Sequence, residues 1–538
     1  VNFIDFIKKE SVVSPTSVII MSSISGIANA TVLFIINSVA LEASHEELKF
    51  KYMMMFISAF LIFVICKNYS LTHASIVIEK LLAKVRLRIL DKSRKAGFKQ
   101  IEDIGMAEIH TKLTHDTSTI SEAALIAVGV CQYAIMLIIC SIYIAWLSMA
   151  AFLGATALLS LATLYFNRKR KEAYALLSHA SAVQAQLFNK INGIFLGFKE
   201  LKINRKRNDA YFKDVEKSTL KSEELMINTQ LKFVSIMLLS EITFFALLAS
   251  MVFIVPRLGP QYSALVPQLV TSMLFIMGPI VTIIVSLPMI TRANLAISEI
   301  YRLEEQLDSA GEPENSSTGR QFDFQEISLE NIMFCYKDQY QNPIFSLENI
   351  NLNIKRGELL FVVGGNGSGK STVLKILTGL YYPDKGNLRL NGQLIDRSNY
   401  QAYRELFSII FTDFHLFEKL YGLDKIDHGK IEDYLKEMEL EEKTGFEDNG
   451  FTNIQLSTGQ KKRLAMIVAL LFDSQIYVFD ELAADQDPEF RHYFYEILLK
   501  ELQKKGKTII VVSHDDRFFH VADRVIKMDY GKFSKGAQ

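Results

Sequence analysis

Six long apolar runs in the first 290 residues constrain this chain more than any other feature. They fall near 14–41, 50–67, 121–146, 148–167, 231–256 and 264–290. Most are long enough to cross ~30 Å of hydrocarbon at a rise of 1.5 Å per residue. A single run of this kind could be a buried helix in an ordinary core, but six in succession read as membrane spans. The run at 50–67 is marginal by length, and its apolar pattern partly resumes as far as Val77. Pro15, Pro279 and Pro288 are tolerable in such spans, because neighbouring helices and polar side chains take up the freed carbonyls. Val1 to Glu10 is mixed in charge and leads into a long span without a small-residue cleavage pattern, so no cleavable signal peptide is expected.

Basic residues set the expected orientation. Lys80, Lys84, Arg86, Arg88, Lys92, Arg94, Lys95 and Lys99 follow the second run, and a second cluster from Arg168 to Arg207 follows the fourth. The loops at 42–49 and 257–263 are short and poor in basic residues, which places them outside. An even number of spans then leaves both termini in the cytoplasm. The two basic connections are too long for turns and keep a helical period, so the membrane helices are expected to continue into the cytosol. Their tips, near 101–106 and from Gly193 to Glu200, are candidate docking elements.

Composition excludes several other readings. Lys plus Arg and Asp plus Glu both number 59, so no global basic field points to nucleic acid. Cys66, Cys131, Cys140 and Cys335 have no CxxC or framework spacing, which argues against a disulfide scaffold or a zinc site. The apolar pattern breaks into the polar stretch from Asp308 to Gly319, and beyond it short β-branched runs alternate with amphipathic segments. The expected organisation is a membrane domain at 1–304, a linker at 305–320 and an α/β domain at 321–538.

The α/β half carries the chemistry. Leu359-Leu-Phe-Val-Val reads as a buried strand and runs into Gly364-Gly-Asn-Gly-Ser-Gly-Lys370-Ser371-Thr372, followed by a helical pattern to Leu380. This is GxxxxGK[ST] in its strand–loop–helix setting. Gly364, Asn366, Gly367, Ser368, Gly369 and Thr372 are the candidate cradle for phosphate oxygens, with the helix N-terminus adding partial positive charge. Lys370 is expected to reach the β- and γ-phosphates, and the Ser371 hydroxyl to face Mg²⁺. A second strand, Gln475 to Phe479, ends in Asp480-Glu481. An acidic pair at a strand's carboxyl end suits metal holding by Asp480 and polarisation of the attacking water by Glu481. A third strand, Thr508 to Val512, delivers Ser513-His514-Asp515; His514 reads either as a γ-phosphate contact or as a structural histidine.

Leu456-Ser-Thr-Gly-Gln460, before a further helix, resembles the LSGGQ signature of the ATP-binding-cassette superfamily. Ser457, Thr458, Gly459 and Gln460 sit at another helix N-terminus, where Ser457 and Gly459 offer donors to phosphate. The resemblance covers about 324–533 and implies two ATP molecules sandwiched in a dimer, each signature facing the γ-phosphate held by the opposite subunit. It also implies that Tyr336 stacks on adenine and that Asp487 lies in the loop crossing the dimer interface. Six spans fused ahead of one such domain resemble a half-transporter, implying a homodimeric exporter in the bacterial inner membrane that uses ATP and Mg²⁺.

A narrower resemblance rests on Phe411-Thr-Asp-Phe-His-Leu-Phe, on Ala483 to Tyr495 and on Ser513-His-Asp-Asp. These stretches are similar to the cyclic-peptide exporter group, which includes the pyoverdine and syringomycin exporters and a lasso-peptide microcin exporter. The implied cargo is a cyclic peptide, lipopeptide or siderophore precursor. A lipid or drug pump, a siderophore importer, and an ATP-gated channel or sensor are the alternatives on the same architecture. Thr412 stands where the superfamily has a metal-binding glutamine, with Asp413 beside it as the candidate to take part of that role, and the stretch from Thr412 to Leu456 is short. In the fifth run Glu241 lies ten residues past Leu231, ~15 Å along a helix and so near mid-bilayer. It is expected to face a partner group or the central cavity, since a lipid-facing carboxylate there costs roughly 2.5–3.5 kcal/mol.

Overall fold

The computed structural model describes residues 3–11, 16–41, 46–263, 265–309, 322–338, 341–423 and 427–534. Pro15 and most of the expected linker, 310–320, lie outside them. The chain divides into two compact units, Val1–Lys92 with Met106–Gln306, and Ser93–Gly105 with Leu307–Gln538.

The first unit is helical: α1 (Phe3–Glu10), α2 (Thr16–Leu41) and α3 (Glu46–Lys95) belong to it except for the last residues of α3. After the segment that carries α4 (Phe98–Ile104) come α5 (Met106–Leu147), α6 (Met149–Leu196), α7 (Phe198–Ile203), α8 (Arg205–Ala249) and α9 (Val266–Ser309). A π-helical turn at Lys112–Asp116 lies within α5. Six of these helices are long and apolar enough to cross a membrane. The run read as 50–67 is part of a 50-residue helix, and both basic connections are helical continuations of spans. Pro279 and Pro288 both sit inside α9.

Large apolar side chains such as Trp146, Phe253 and Leu164 are exposed, as a lipid-facing surface requires, while an apolar core forms around Leu33, Met136, Cys140, Phe244 and Leu269. Polar groups join the helices in that core. The Asn37 amide nitrogen, with two protons to give, lies within hydrogen-bonding distance of the Ser272 hydroxyl (3.2 Å), the Tyr143 hydroxyl (3.3 Å) and the Gln268 carbonyl (3.4 Å). Glu10 and Glu304, both buried, flank Arg88, which donates twice to Glu10 (2.6 and 3.0 Å) and once to Glu304 (2.8 Å). At the tip between α6 and α8, Leu196 and Ile203 are 88% and 87% exposed. All four cysteines are unpaired.

The second unit is α/β. Its strands are β1 (Glu326–Lys337), β2 (Pro343–Lys355), β3 (Leu359–Gly364), β4 (Lys385–Leu390), β5 (Gln393–Leu394), β6 (Phe407–Ile410), β7 (Phe446–Glu447), β8 (Gly450–Phe451), β9 (Ile476–Asp480), β10 (Thr508–Val512), β11 (Arg524–Asp529) and β12 (Lys532–Phe533). One sheet runs β12-β11-β3-β10-β9-β6, parallel except for β12; a second, antiparallel, runs β2-β1-β4-β5. The central strands β3, β9 and β10 are buried along nearly their whole length because both faces of the sheet are covered. Their alternate residues divide between two cores: Phe361, Phe479 and Val511 face one, Leu360, Val478 and Ile510 the other. The helices that bear on the site are α10 (Lys370–Leu377), α11 (His428–Glu437), α12 (Thr458–Leu471) and α13 (Pro488–His492). Between Thr412 and Leu456 the described residues contain one helix, α11, and the hairpin β7–β8.

Candidate nucleotide site

Strand order brings the candidate residues together. β3, β9 and β10 end side by side at their carboxyl edges, with Val512 in register with both Val362 and Asp480. The loop after β3, the acidic pair after β9 and Ser513-His514 after β10 therefore open at one edge of the sheet.

The loop needs its glycines. Gly364 has φ +152°, and a Cβ there would lie 2.2 Å from the Met528 carbonyl oxygen; Gly369, at φ +104°, has Phe345 and Leu347 within 2.8 Å of the same position. Asn366 and Gly367 are exposed, and Ser368 and Thr372 are buried. Lys370 Nζ curls back to donate to the carbonyls of Gly364 (2.9 Å) and Gly365 (3.1 Å), and burial lowers its pKa. Ser368 Oγ is buried without a hydrogen-bond partner among the described residues. An orphaned hydroxyl and a buried ammonium at a helix N-terminus are what a multivalent anion would satisfy.

Ser371 Oγ donates to Asp480 Oδ2 at 3.2 Å, and burial pushes the Asp480 carboxyl upward. A hydroxyl and a carboxylate so placed fit two positions around a hard cation that keeps phosphate and water as its other ligands. Glu481 follows in a left-handed conformation, φ +53°, uncommon for a residue with a side chain. That twist turns its carboxylate to His514, with Oε1 and Nε2 3.1 Å apart. Thr412 Oγ1 lies 3.5 Å from the Asp480 carbonyl oxygen, whereas Asp413 is exposed and has no hydrogen-bond or ion-pair partner among the described residues.

Ser457 caps α12. Its Oγ accepts from the Gln460 N–H at 3.4 Å, and Gln460 Oε1 accepts from the Ser457 N–H at 3.1 Å, a reciprocal capping box. Ser457 and Thr458 are exposed, and a Cβ on Gly459 would meet the Asp485 carbonyl at 3.0 Å. Asp487 caps α13 by accepting from the Phe490 N–H at 2.8 Å, and that bond holds its carboxyl below the usual range.

Several contributors had no local signal in the sequence. Lys462 donates to the Glu481 carbonyl at 3.0 Å and to Asp485 at 2.7 Å, tying α12 to the turn that carries the acid. Arg463 reaches Gln486, Glu439 and Asp487 and lies 4.1 Å over the Phe490 ring. A pocket of about 260 Å³ opens beside Glu481, His514, Arg491 and Arg517. A larger one of about 540 Å³, lined mainly by apolar side chains such as Ile409, Phe414, Phe417, Tyr421 and Phe472, includes neither Asp480 nor Glu481 in its wall. Tyr336, half-buried on β1, packs edge-on against Phe334 and near Phe345.

In the helical unit Glu241 is half-buried on α8, with no hydrogen-bond or ion-pair partner among the described residues. Its polar neighbours do not supply one: Ser240 Oγ donates to the Met237 carbonyl and Thr243 Oγ1 to that of Leu239.

Comparison with known proteins agrees with this geometry. Residues 347–484 match the family model described as "ABC transporter". ATP-binding protein SyrD of Pseudomonas syringae pv. syringae is 30% identical over 526 residues, covering 94% of this chain and 91% of its own. Methionine import ATP-binding protein MetN of Ligilactobacillus salivarius is 32% identical over 223 residues, 38% of this chain and 63% of its own. In fold, the chain is similar to a bacterial Atm1-family ABC exporter solved with ATP bound, at a TM-score of 0.79 and 15% identity, over 96% of this chain and 94% of that one. Six membrane-crossing helices joined to a phosphate cradle, together with a relative matched almost end to end, mean that this chain is a multi-pass, ATP-hydrolysing member of the ABC transporter family.

Proposed function

We propose that the chain works as a homodimeric exporter of a peptide-derived metabolite: a cyclic peptide, a lipopeptide or a siderophore precursor. The observation that carries the dimer is that one ATPase unit owns two phosphate-binding helix N-termini. That of α10 lies at its own loop, and that of α12, with Ser457 and Thr458, is exposed. The second calls for a nucleotide held by another copy. Peptide cargo is supported by the stretches at Phe411–Phe417, Ala483–Tyr495 and Ser513–Asp516, and by the near full-length relation to SyrD. The basic residues flanking the spans favour a bacterial inner membrane with both termini and the ATPase unit in the cytoplasm. Domain limits of 1–304 and 321–538 around a linker at 305–320 follow the sequence pattern.

Within each composite site the residues take separate tasks. Gly364 to Thr372 wrap the phosphates, and Lys370 leaves its two carbonyls for the β- and γ-oxygens. Tyr336 stacks on adenine, and Asp487 holds the loop at the subunit boundary. Ser371 and Asp480 would hold Mg²⁺, which when bound neutralises phosphate charge. Glu481 takes the proton of the attacking water, and His514 fixes the orientation of that carboxylate. Thr412 supports Asp480 through its backbone; a metal contact by Asp413 requires its exposed carboxylate to turn inward, and unchanged Mg²⁺ dependence in Asp413→Asn would remove it. Glu241 is the cargo contact for a cationic or hydrogen-bond-donating group.

ATP-dependent uptake into inside-out vesicles, against a panel of peptide metabolites, tests the cargo; no uptake of any peptide alongside uptake of a lipid or drug would reverse it. Mixing Lys370→Ala chains with Ser457→Asp chains tests the shared site. The heterodimer keeps one composite site with both elements intact, so the mixture should hydrolyse more ATP than either parent; no gain would sink the model.

A further inference from the structure

The segment 93–105 belongs by its contacts to the ATPase unit, although in sequence it lies between two membrane helices. Its helix α4 sends three side chains toward one place. Phe98 packs near the Tyr381 ring at 6.1 Å, Lys99 places its ammonium 5.5 Å from the centre of the Tyr336 ring, and Glu102 meets Lys375 at 2.9 Å. Tyr381 is 1% exposed and stacks on Phe334, so its hydroxyl must find protein partners. It donates to the Glu102 carboxylate and accepts from the Tyr336 hydroxyl at 3.2 Å and from Lys375 Nζ at 3.3 Å.

Counting protons fixes the directions. A phenol has one proton to give, and Tyr381 gives it to Glu102, an acceptor-only carboxylate. Tyr336 must therefore act as the donor, and its ring is held at both its tip and its face by groups that α4 organises. Burial and the Glu102 charge both favour the protonated Tyr381 that this chain of bonds requires.

We propose that Tyr381 and Glu102 are positioning residues that set the Tyr336 ring for adenine, so that helix α4 senses whether a base is bound. The inference rests on Tyr336 being the adenine platform.

The test uses the full-length transporter and two nucleotides with Mg²⁺: ATP, and ribose 5′-triphosphate, which has no base. Binding is measured by competition against a fluorescent nucleotide, with kcat measured beside it. Tyr336→Ala comes first. It should weaken ATP about tenfold and leave ribose 5′-triphosphate unchanged; equal weakening of both would overturn the platform, and the inference with it. Tyr381→Phe keeps the ring and removes one hydroxyl. It should weaken ATP about threefold to tenfold, spare ribose 5′-triphosphate and leave kcat within about twofold. In the Tyr336→Ala background it should then do nothing more, because the two share one chain of bonds. Glu102→Gln should act in the same direction if Tyr381→Phe fails to fold. If Tyr336→Ala discriminates between the nucleotides but Tyr381→Phe and Glu102→Gln weaken both equally, or add in full to Tyr336→Ala, these contacts only fasten α4 and the positioning role is overturned.

Discussion

Phe361 and Phe253 carry the same side chain under opposite rules. Phe361 is fully buried on β3, while Phe253 is 69% exposed at the end of a membrane-crossing helix, where a bilayer offers lipid instead of water. In the ATPase unit apolar surface is hidden on both faces of a parallel sheet, so packing specifies nearly every position. In the membrane unit lipid is as apolar as the side chains, so a few buried polar groups, such as Asn37 with Tyr143 and Ser272, locate the helices instead. One unit is held by what it excludes from water, the other by the few polar groups it removes from lipid.

That contrast can be broken at several levels. The largest effect is expected at the acid whose geometry the ATPase core dictates. Glu481→Gln should cut steady-state phosphate release by about 10²–10⁴-fold while ATP still binds; near-normal turnover would remove it from the mechanism. Next, Phe361→Ala should cost about 3–5 kcal/mol in the ATPase unit and be read as an early thermal transition of the purified transporter. Lys370→Ala should weaken ATP binding about 10- to 100-fold by removing a charge-assisted contact. In the membrane unit Glu241→Gln should reduce cargo-stimulated ATPase and transport several-fold with basal hydrolysis largely intact; unchanged transport by a well-folded variant would end the cargo role, and lost basal activity would make the residue structural. The smallest effect belongs to Phe253→Ala, which should change thermal stability by no more than about 0.5 kcal/mol. A loss as large as that at Phe361 would show that this face is not open to lipid.

How far the sequence could be read follows the same division. The phosphate loop, the acidic pair and the signature are each contiguous, so their chemistry is written within a few residues, and the strand register did the rest by aligning Val362, Val512 and Asp480. Hydropathy marked the spans, but the apolar stretch ends well before the helix does, and α3 runs on to Lys95. The Arg463 cluster, the Asn37 junction and the bond from Tyr381 to Glu102 were invisible, because their partners are 24, 106 and 279 residues apart and no local pattern records such distances. Thr412 was legible as a departure from the family; that it touches the backbone of Asp480 was not.

The cap on α12 has a consequence for how its signature serine is tested. The hydroxyl of Ser457 engages its own helix through a lone pair, accepting from Gln460, and so keeps its single proton uncommitted. An alanine there deletes two things at once, the acceptor that ends the helix cleanly and the proton available to a neighbour's phosphate. Aspartate separates them, since it caps as well as serine but meets an incoming anion with a like charge. A transporter carrying Ser457→Asp should thus melt like the parent and still fail to close on ATP, dividing the serine's architectural duty from its chemical one at a single atom.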